Sequence, residues 1–166
     1  MKTIIGVMGP GQKQATPEDI RCAYEMGKIV AKTGSVLLCG GMTGVMEASA
    51  KGAQENSGTV LGIGPTMDKK EMNKYIDIPV VTGMNAGRNF MNILSSDALI
   101  FVSIGSPGTL SELAYAIQLG KPSIVIRGSD KLKSYIEEFH ASSVQFVDTL
   151  AELEPALIAL LPTKND

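Results

Sequence analysis

The sequence predicts an α/β fold in which helices cover both faces of one doubly wound, mainly parallel sheet. Short apolar segments alternate with segments whose apolar residues recur at helical spacing. Several apolar segments are almost continuous, as in strands that are buried on both faces. Glycine-rich turns follow three of them. The chain has 166 residues, 44% of them hydrophobic and 19% charged, so we expect a single domain over residues 1–166.

Seven segments are predicted to be strands. The first, residues 3–8, is nearly all apolar and is stopped by the turn Gly9-Pro10-Gly11. The remaining predicted strands are residues 35–39, 59–63, 76–81, 98–103, 123–126 and 144–147. Residues 64–74 are polar and rich in methionine, and they are predicted to be a loop.

Helices are predicted between the strands. The first begins at Thr16, a capping residue followed by Pro17 and two acidic residues, and it ends at Gly34. The other predicted helices are residues 44–56, 86–96, 109–119, 130–139 and 150–161. Strand–helix alternation implies right-handed crossovers, so the architecture is predicted to be Rossmann-like.

Apolar residues on one face also mark two later helices, and in the second of them these residues are predicted to point inward. The stripe of helix 86–96 consists of Phe90, Ile93 and Leu94. The stripe of helix 109–119 consists of Leu110, Leu113, Ala114 and Ile117.

Composition excludes several classes of function. The net charge is −2, aromatic residues make up 5%, and there is no Trp, so we expect no nucleic-acid partner. No apolar run approaches the ~20 residues needed to span a membrane, and the N-terminus reads as a strand rather than a signal peptide. We therefore expect a cytoplasmic protein without a membrane partner. One His and two Cys argue against a metal held by the protein, and Cys39 has no evident base to make it a nucleophile.

The glycine-rich turns indicate a ligand site. In open α/β sheets, ligands bind at the carboxyl ends of the strands, where the strand order reverses. Glycine lets the backbone approach a ligand closely, and helix N-termini attract anions, so a phosphate or another oxyanion is expected there. The alternative is that each glycine only provides the backbone conformation that its turn requires and has no part in binding a ligand. The sequence contains neither a P-loop motif nor G-x-G-x-x-G with a following acidic residue, which disfavours a P-loop ATPase and ordinary NAD binding. The candidate residues in these turns are Gly9, Gly11, Gly40, Gly41, Met42, Thr43, Gly44, Gly105, Ser106, Pro107, Gly108 and Thr109.

Two charged residues could serve the same site. Arg88 lies near the start of a predicted helix, where the helix dipole disfavours a cation unless an anion binds beside it. The alternative is a solvated surface arginine. Glu112 follows Thr109 at the spacing of a capping box, in which it would only cap the helix. The alternative places Glu112 at the mouth of the crevice, as a hydrogen-bond acceptor or in acid–base chemistry.

These turns resemble the LOG-like Rossmann superfamily, formerly described as lysine decarboxylase-like, whose enzymes hydrolyse the N-glycosidic bond of nucleoside 5′-monophosphates. The superfamily signature is an Arg-Lys pair and P-G-G-x-G-T-x-x-E. Gly105, Gly108, Thr109 and Glu112 match it, as does Arg88. The chain departs from the signature where Asn89 follows the arginine, and where Ile104 and Ser106 stand for the proline and the second glycine.

A closer resemblance is to the molybdenum cofactor carrier proteins, a non-enzymatic branch of that superfamily. It rests on residues 4–11, 77–83, 86–89 and 94–96 and on the Pro107-Gly108-Thr109 turn. It implies a homo-oligomer, a dimer or a tetramer, that binds the molybdenum cofactor (molybdopterin with its metal), stores it and transfers it. Molybdoenzymes or cofactor-synthesis proteins would be the partners in transfer. The cofactor carries its own metal ligands, and no metal-ligating residue is expected.

The resemblance implies that the glycine turns, with Arg88, Asn89 and Glu112, bind a small anionic pterin or nucleotide. The alternative function is a phosphoribohydrolase, in which Arg88 orients the nucleotide and Glu112 assists departure of the base. The altered signature positions favour the carrier function, so we expect no enzymatic activity. The presence of both Arg88 and Glu112 leaves hydrolase activity as the alternative.

Overall fold

Seven strands form one parallel sheet in the computed structural model, which describes residues 1–161. Every pair of neighbouring strands is parallel, and the order across the sheet is β4-β3-β2-β1-β5-β6-β7. The predicted parallel α/β fold is therefore confirmed. The predicted domain also takes in residues 162–166, which lie outside the described part of the chain. The strands are β1 (Ile4–Met8), β2 (Val36–Cys39), β3 (Thr59–Gly64), β4 (Ile78–Val81), β5 (Ala98–Val102), β6 (Ser123–Ile126) and β7 (Val144–Val147).

Within the described residues, six helices cover the two faces of the sheet. The three on one face enclose a core with the side chains of Ile5 and Val7, and the three on the other enclose a core with those of Leu38 and Phe101. The first layer consists of α1 (Pro17–Lys32), α2 (Val45–Gln54) and α6 (Leu150–Leu160). The second layer consists of α3 (Arg88–Ser95), α4 (Pro107–Gln118) and α5 (Asp130–Glu137). Single turns of 3-10 helix occur at Lys69–Glu71, inside the predicted loop, and at Asn85–Gly87. No helix within residues 1–161 is both long and apolar enough to cross a membrane.

Helix α4 begins two residues earlier than predicted. Ser106 is its N-cap, with the hydroxyl oxygen accepting a hydrogen bond from the Thr109 N–H at 3.2 Å, and Pro107 occupies the first helical position. Thr109 therefore lies inside the first turn. The capping-box alternative for Thr109 and Glu112 is wrong.

The two predicted apolar stripes face the sheet only in part. Ile93 on α3 and Leu113 on α4 are fully buried, as expected. Phe90, Leu94 and Leu110 are instead between 39% and 50% exposed. The sheet covers only one side of each helix, so the remaining apolar side chains lie on the outer face of this layer.

The strand order places a crevice at a defined position. The chain passes from β1 through β2 and β3 to β4 on one side, and then returns to β5 on the other side of β1. The order therefore reverses between β1 and β5. The loops that leave these two strands diverge to opposite sides, which opens a crevice at their carboxyl ends.

Candidate functional site

A small crevice lies at the carboxyl ends of β1, β2 and β5, at the point of reversal. Its volume is about 140 Å³. Backbone from the glycine turns forms much of its wall, and side chains of α3 and α4 form the rest. The lining residues are Val7, Met8, Gly9, Gly11, Gly40, Met46, Arg88, Asn89, Ser106, Gly108, Thr109 and Glu112.

The structure brings nine of the fifteen predicted site residues together in this crevice. They come from all three glycine turns and from both charged positions, and they are Gly9, Gly11, Gly40, Arg88, Asn89, Ser106, Gly108, Thr109 and Glu112. Sequence reasoning grouped these residues because the carboxyl ends of parallel strands meet at one edge. Their binding roles stay predictions.

Six predicted residues lie outside the crevice. The carbonyl oxygens of Gly41 and Met42 accept hydrogen bonds from the backbone and side chain of Asn73, at 2.9 and 2.8 Å, so this part of the turn serves the neighbouring loop. Gly44 lines a separate groove between α1 and α2. The other three residues, Thr43, Gly105 and Pro107, are exposed.

Arg88 is buried, with 8% of its surface exposed. Its guanidinium lies against Gly40, where a Cβ atom would overlap it, so glycine is what makes room for the arginine. Nη1 donates a hydrogen bond to the Asn89 Oδ1 at 2.8 Å, and Nη2 contacts the Met46 sulfur at 3.7 Å. Nε is buried and has no hydrogen-bond partner within residues 1–161. The alternative of a solvated surface arginine is therefore wrong.

Arg88 and Glu112 form a buried ion pair, with 3.5 Å between Nη1 and Oε1. Burial raises the pKa of the Glu112 carboxyl to about 7, although Arg88 and a long hydrogen bond from Asn92 act in the opposite direction. Burial also lowers the pKa of Arg88. At this separation the pair only partly offsets its desolvation. An anion in the crevice would supply the acceptors that the guanidinium lacks.

Asn92 is the residue that sequence reasoning missed. It is completely buried, its Nδ2 lies 3.5 Å from the Glu112 Oε1, and its Oδ1 has no partner within residues 1–161. It lies one turn of α3 after Arg88, so both side chains project from the same face of the helix. A polar residue at that spacing from a candidate site arginine is the signal that could have found it.

Two helix N-termini add positive potential at this edge of the sheet. Helix α2 begins after Gly44 and α3 begins after Gly87, and neither glycine provides a side-chain cap. The Val45 N–H nevertheless donates to the Pro10 carbonyl oxygen at 3.1 Å, and the Arg88 N–H donates to carbonyl oxygens of the preceding 3-10 turn. In α4, by contrast, the Ser106 and Thr109 hydroxyls bond each other at 2.9 Å. The two helix dipoles add to the positive charge of Arg88, and its guanidinium is the group in the crevice that favours an anionic ligand.

Metal and thiol chemistry have little support in the described part of the chain. No group of three or more His, Cys, Asp and Glu residues lies together there in an arrangement that could hold a metal ion. Burial raises the pKa of the Cys39 thiol to about 11, so the group stays protonated at neutral pH.

We expect the affinity for an anion to fall as pH rises through about 7, because an anion beside Glu112 favours its neutral form. Above that pH, the binding constant should drop up to about tenfold per pH unit. The measurement is titration calorimetry with sulfate, which keeps its charge over this range.

The same linkage between protonation of Glu112 and pH affects the free energy of folding. Neutral Glu112 contributes stability that is fully present below its ordinary pKa of 4.5 and is lost as pH rises through about 7.

Glu112→Gln is the control for this pH dependence, since glutamine keeps the shape and does not ionise. The variant should bind sulfate with little dependence on pH. An equal slope in both proteins would show that another group titrates.

The fold and crevice define a Rossmann-type protein with a buried guanidinium in a crevice where the strand order reverses. The chain belongs to the SLOG cluster4 family, whose model matches residues 2–154. An uncharacterised protein of Archaeoglobus fulgidus is 45% identical over an alignment of 131 residues, and the match covers 75% of this chain and 83% of that relative.

Two solved structures are similar over nearly their whole length. The molybdenum cofactor binding protein of the phototrophic bacterium Rippkaea orientalis is 40% identical, with a TM-score of 0.85 over 96% of this chain and 95% of that one. The Moco carrier protein of Chlamydomonas reinhardtii is 35% identical, with a TM-score of 0.89 over 96% and 98%. The resemblance predicted from the glycine turns is therefore confirmed.

Proposed function

We propose that this protein binds the molybdenum cofactor, stores it and transfers it. The observation that carries the proposal is the likeness over 96% of the chain to two proteins named for this cofactor. The crevice agrees with it chemically, since the cofactor bears a phosphate and the crevice combines a buried guanidinium with glycine backbone.

The crevice fits the phosphate rather than the whole ligand. Its volume of about 140 Å³ is below the ~300 Å³ of the smallest usual ligand pockets. We therefore place the phosphate against Arg88 and the glycine backbone that lines the crevice, with the pterin extending from the mouth. The dithiolene of the cofactor holds the metal itself, so the chain needs to supply no metal ligand.

The proposal includes a homo-oligomer in the cytoplasm that delivers its cargo to molybdoenzymes. Mass spectrometry of what copurifies under anaerobic conditions tests it. A molybdenum-bearing pterin supports the proposal, and a purine nucleotide in its place contradicts it.

A nucleoside monophosphate phosphoribohydrolase is the second candidate, and one observation favours it. The pKa of Glu112 is raised by burial to about 7, which suits a general acid beside a departing base. Nothing else in the crevice distinguishes this function from cofactor storage.

We expect adenine release from AMP to stay at background in the wild type and in Glu112→Gln, with both proteins retaining the cofactor. A carrier needs no proton transfer to a leaving group, so replacing Glu112 should remove no catalytic step. The measurement is chromatographic detection of adenine. Robust turnover in the wild type that disappears in Glu112→Gln would establish hydrolase activity and contradict the proposed carrier function.

A further inference from the structure

Met46 places a sulfur atom beside the guanidinium in the crevice. It is the second residue of α2, it is half-buried, and it lines the crevice together with Arg88. The Arg88 Nη2 donates a hydrogen bond to the Met46 Sδ at 3.7 Å, and the Arg88 Nε has no partner within residues 1–161. A thioether sulfur is a weak acceptor, so this side of the guanidinium is open to a stronger one.

Met46 is also the oxidisable side chain of the crevice that solvent reaches. Met8 lines the crevice too, but it is 2% exposed and belongs to the core of the second layer. Both cysteines are buried, and burial raises the pKa of the Cys22 and Cys39 thiols to about 11, so neither forms the reactive thiolate at neutral pH. An oxidant that enters the crevice therefore meets the Met46 sulfur.

We propose that Met46 is a site of reversible oxidation by hydroperoxides, and that its sulfoxide blocks anion binding at Arg88. The O–O bond of the hydroperoxide breaks, its outer oxygen forms a bond to Sδ, and the proton of that oxygen passes to the departing one. The sulfur loses two electrons, and the hydroperoxide is reduced to water or an alcohol. A methionine sulfoxide reductase reverses the step with two thiols, which become a disulfide while the oxygen leaves as water.

The sulfoxide oxygen competes with an anion for the same donors. It is a stronger acceptor than the sulfur, and it projects one bond length beyond an atom that already contacts the Arg88 Nη2. The methionine side chain is flexible, so a small rotation brings the oxygen to hydrogen-bond distance of the guanidinium. In a crevice of about 140 Å³, the added oxygen also takes space that an anion needs.

Anion binding and oxidation are therefore expected to exclude each other. An anion held by Arg88 fills the crevice through which the oxidant reaches Met46, so a bound ligand shields the sulfur. The proposal rests on anion binding at Arg88, which the proposed function requires, and not on the identity of the ligand that carries the anion.

Sulfate titration before and after treatment with hydrogen peroxide tests the proposal, with peptide mass spectrometry to locate the added oxygen. Oxidation of Met46 should weaken sulfate binding about tenfold, the lower end of the loss for one charged hydrogen bond. A methionine sulfoxide reductase supplied with a thiol should restore the affinity. Unchanged affinity once Met46 is fully oxidised would overturn the proposal. So would a Met46 that stays unoxidised while Met67, which is 87% exposed, is fully oxidised.

Three variants, each compared with itself before and after peroxide, assign the effect to one sulfur. Met46→Leu should show no loss on treatment. Met84→Leu should lose affinity as the wild type does, because Met84 is 52% exposed and lies outside the crevice. Met46→Gln carries a permanent oxygen near the position of the sulfoxide, and without peroxide it should bind sulfate about tenfold more weakly than Met46→Leu. Equal losses in Met46→Leu and the wild type would show that another residue is responsible.

The rate of oxidation in the wild type covers the case in which the variants do not fold. Saturating sulfate should slow oxidation of Met46 and leave the rate at Met67 unchanged. Equal rates at Met46 with and without sulfate would contradict the proposal alone. An unoxidised wild type that binds no sulfate would contradict the anion site, and with it both this proposal and the proposed function.

Discussion

Replacing Arg88 with alanine is expected to weaken binding of the cofactor, and of sulfate as a probe, about a hundredfold. Each charged hydrogen bond that is lost costs roughly 1.5–3 kcal/mol, and a guanidinium can offer two to one oxyanion. The fold should survive, because burial already favours the neutral form of Glu112, and losing Arg88 raises the pKa of that carboxyl further. Calorimetric titration at pH 7 and below measures the effect.

Arg127→Ala is the control for the loss of a positive charge. Arg127 follows β6 and pairs with Glu18 and Asp19 at 3.2 and 3.5 Å, outside the crevice. Its removal should leave the affinity unchanged. Equal losses in the two variants would mean that the protein attracts anions by its overall field and not through a site at Arg88.

Replacing Gly40 with alanine is expected to weaken binding tenfold to a hundredfold while leaving the fold in place. The new Cβ would overlap the guanidinium of Arg88. That guanidinium is the mobile end of a long side chain, so the arginine should move rather than the backbone. The binding loss then approaches that of Arg88→Ala. Thermal unfolding and sulfate titration, measured together, separate the two effects.

Gly87→Ala serves as the matched glycine control beside the same arginine. Gly87 has φ −61°, and a Cβ there would meet only Met84 atoms at 3.6 and 3.7 Å, an ordinary contact. It should keep both stability and affinity. If Gly40→Ala bound sulfate as tightly as the wild type, the observed position of Arg88 would not be the one that binds.

The sequence was sufficient for the fold and for the location of the crevice. Runs such as residues 98–103 are too apolar to be anything but buried strands, and the alternation with helices fixes where their carboxyl ends meet. The turns that contain Gly9, Gly40 and Gly108 were therefore predictable as neighbours, although they are distant along the chain.

The pairing within the site was not predictable, because it depends on how α3 and α4 pack. The contact between Arg88 and Glu112 joins residues on two helices, and Asn92 acquires its role only through that packing. The start of α4 could have been predicted from the sequence. Ser106 followed by Pro107 is a stronger N-cap signal than the spacing of Thr109 and Glu112.

The outward apolar residues were misassigned for a related reason. Helical periodicity predicts that Leu94 and Leu110 belong to a buried stripe, but it does not show how much of each helix the sheet covers. Both residues are exposed in the single chain.

Direct titration of the metal-free protein with isolated molybdenum cofactor under anaerobic conditions tests the central claim. Molybdenum and pterin retained after gel filtration should reach one equivalent per chain in the wild type and fall steeply in Arg88→Ala. Retention that is absent in the wild type, or equal in the two proteins, would contradict cofactor binding in this crevice.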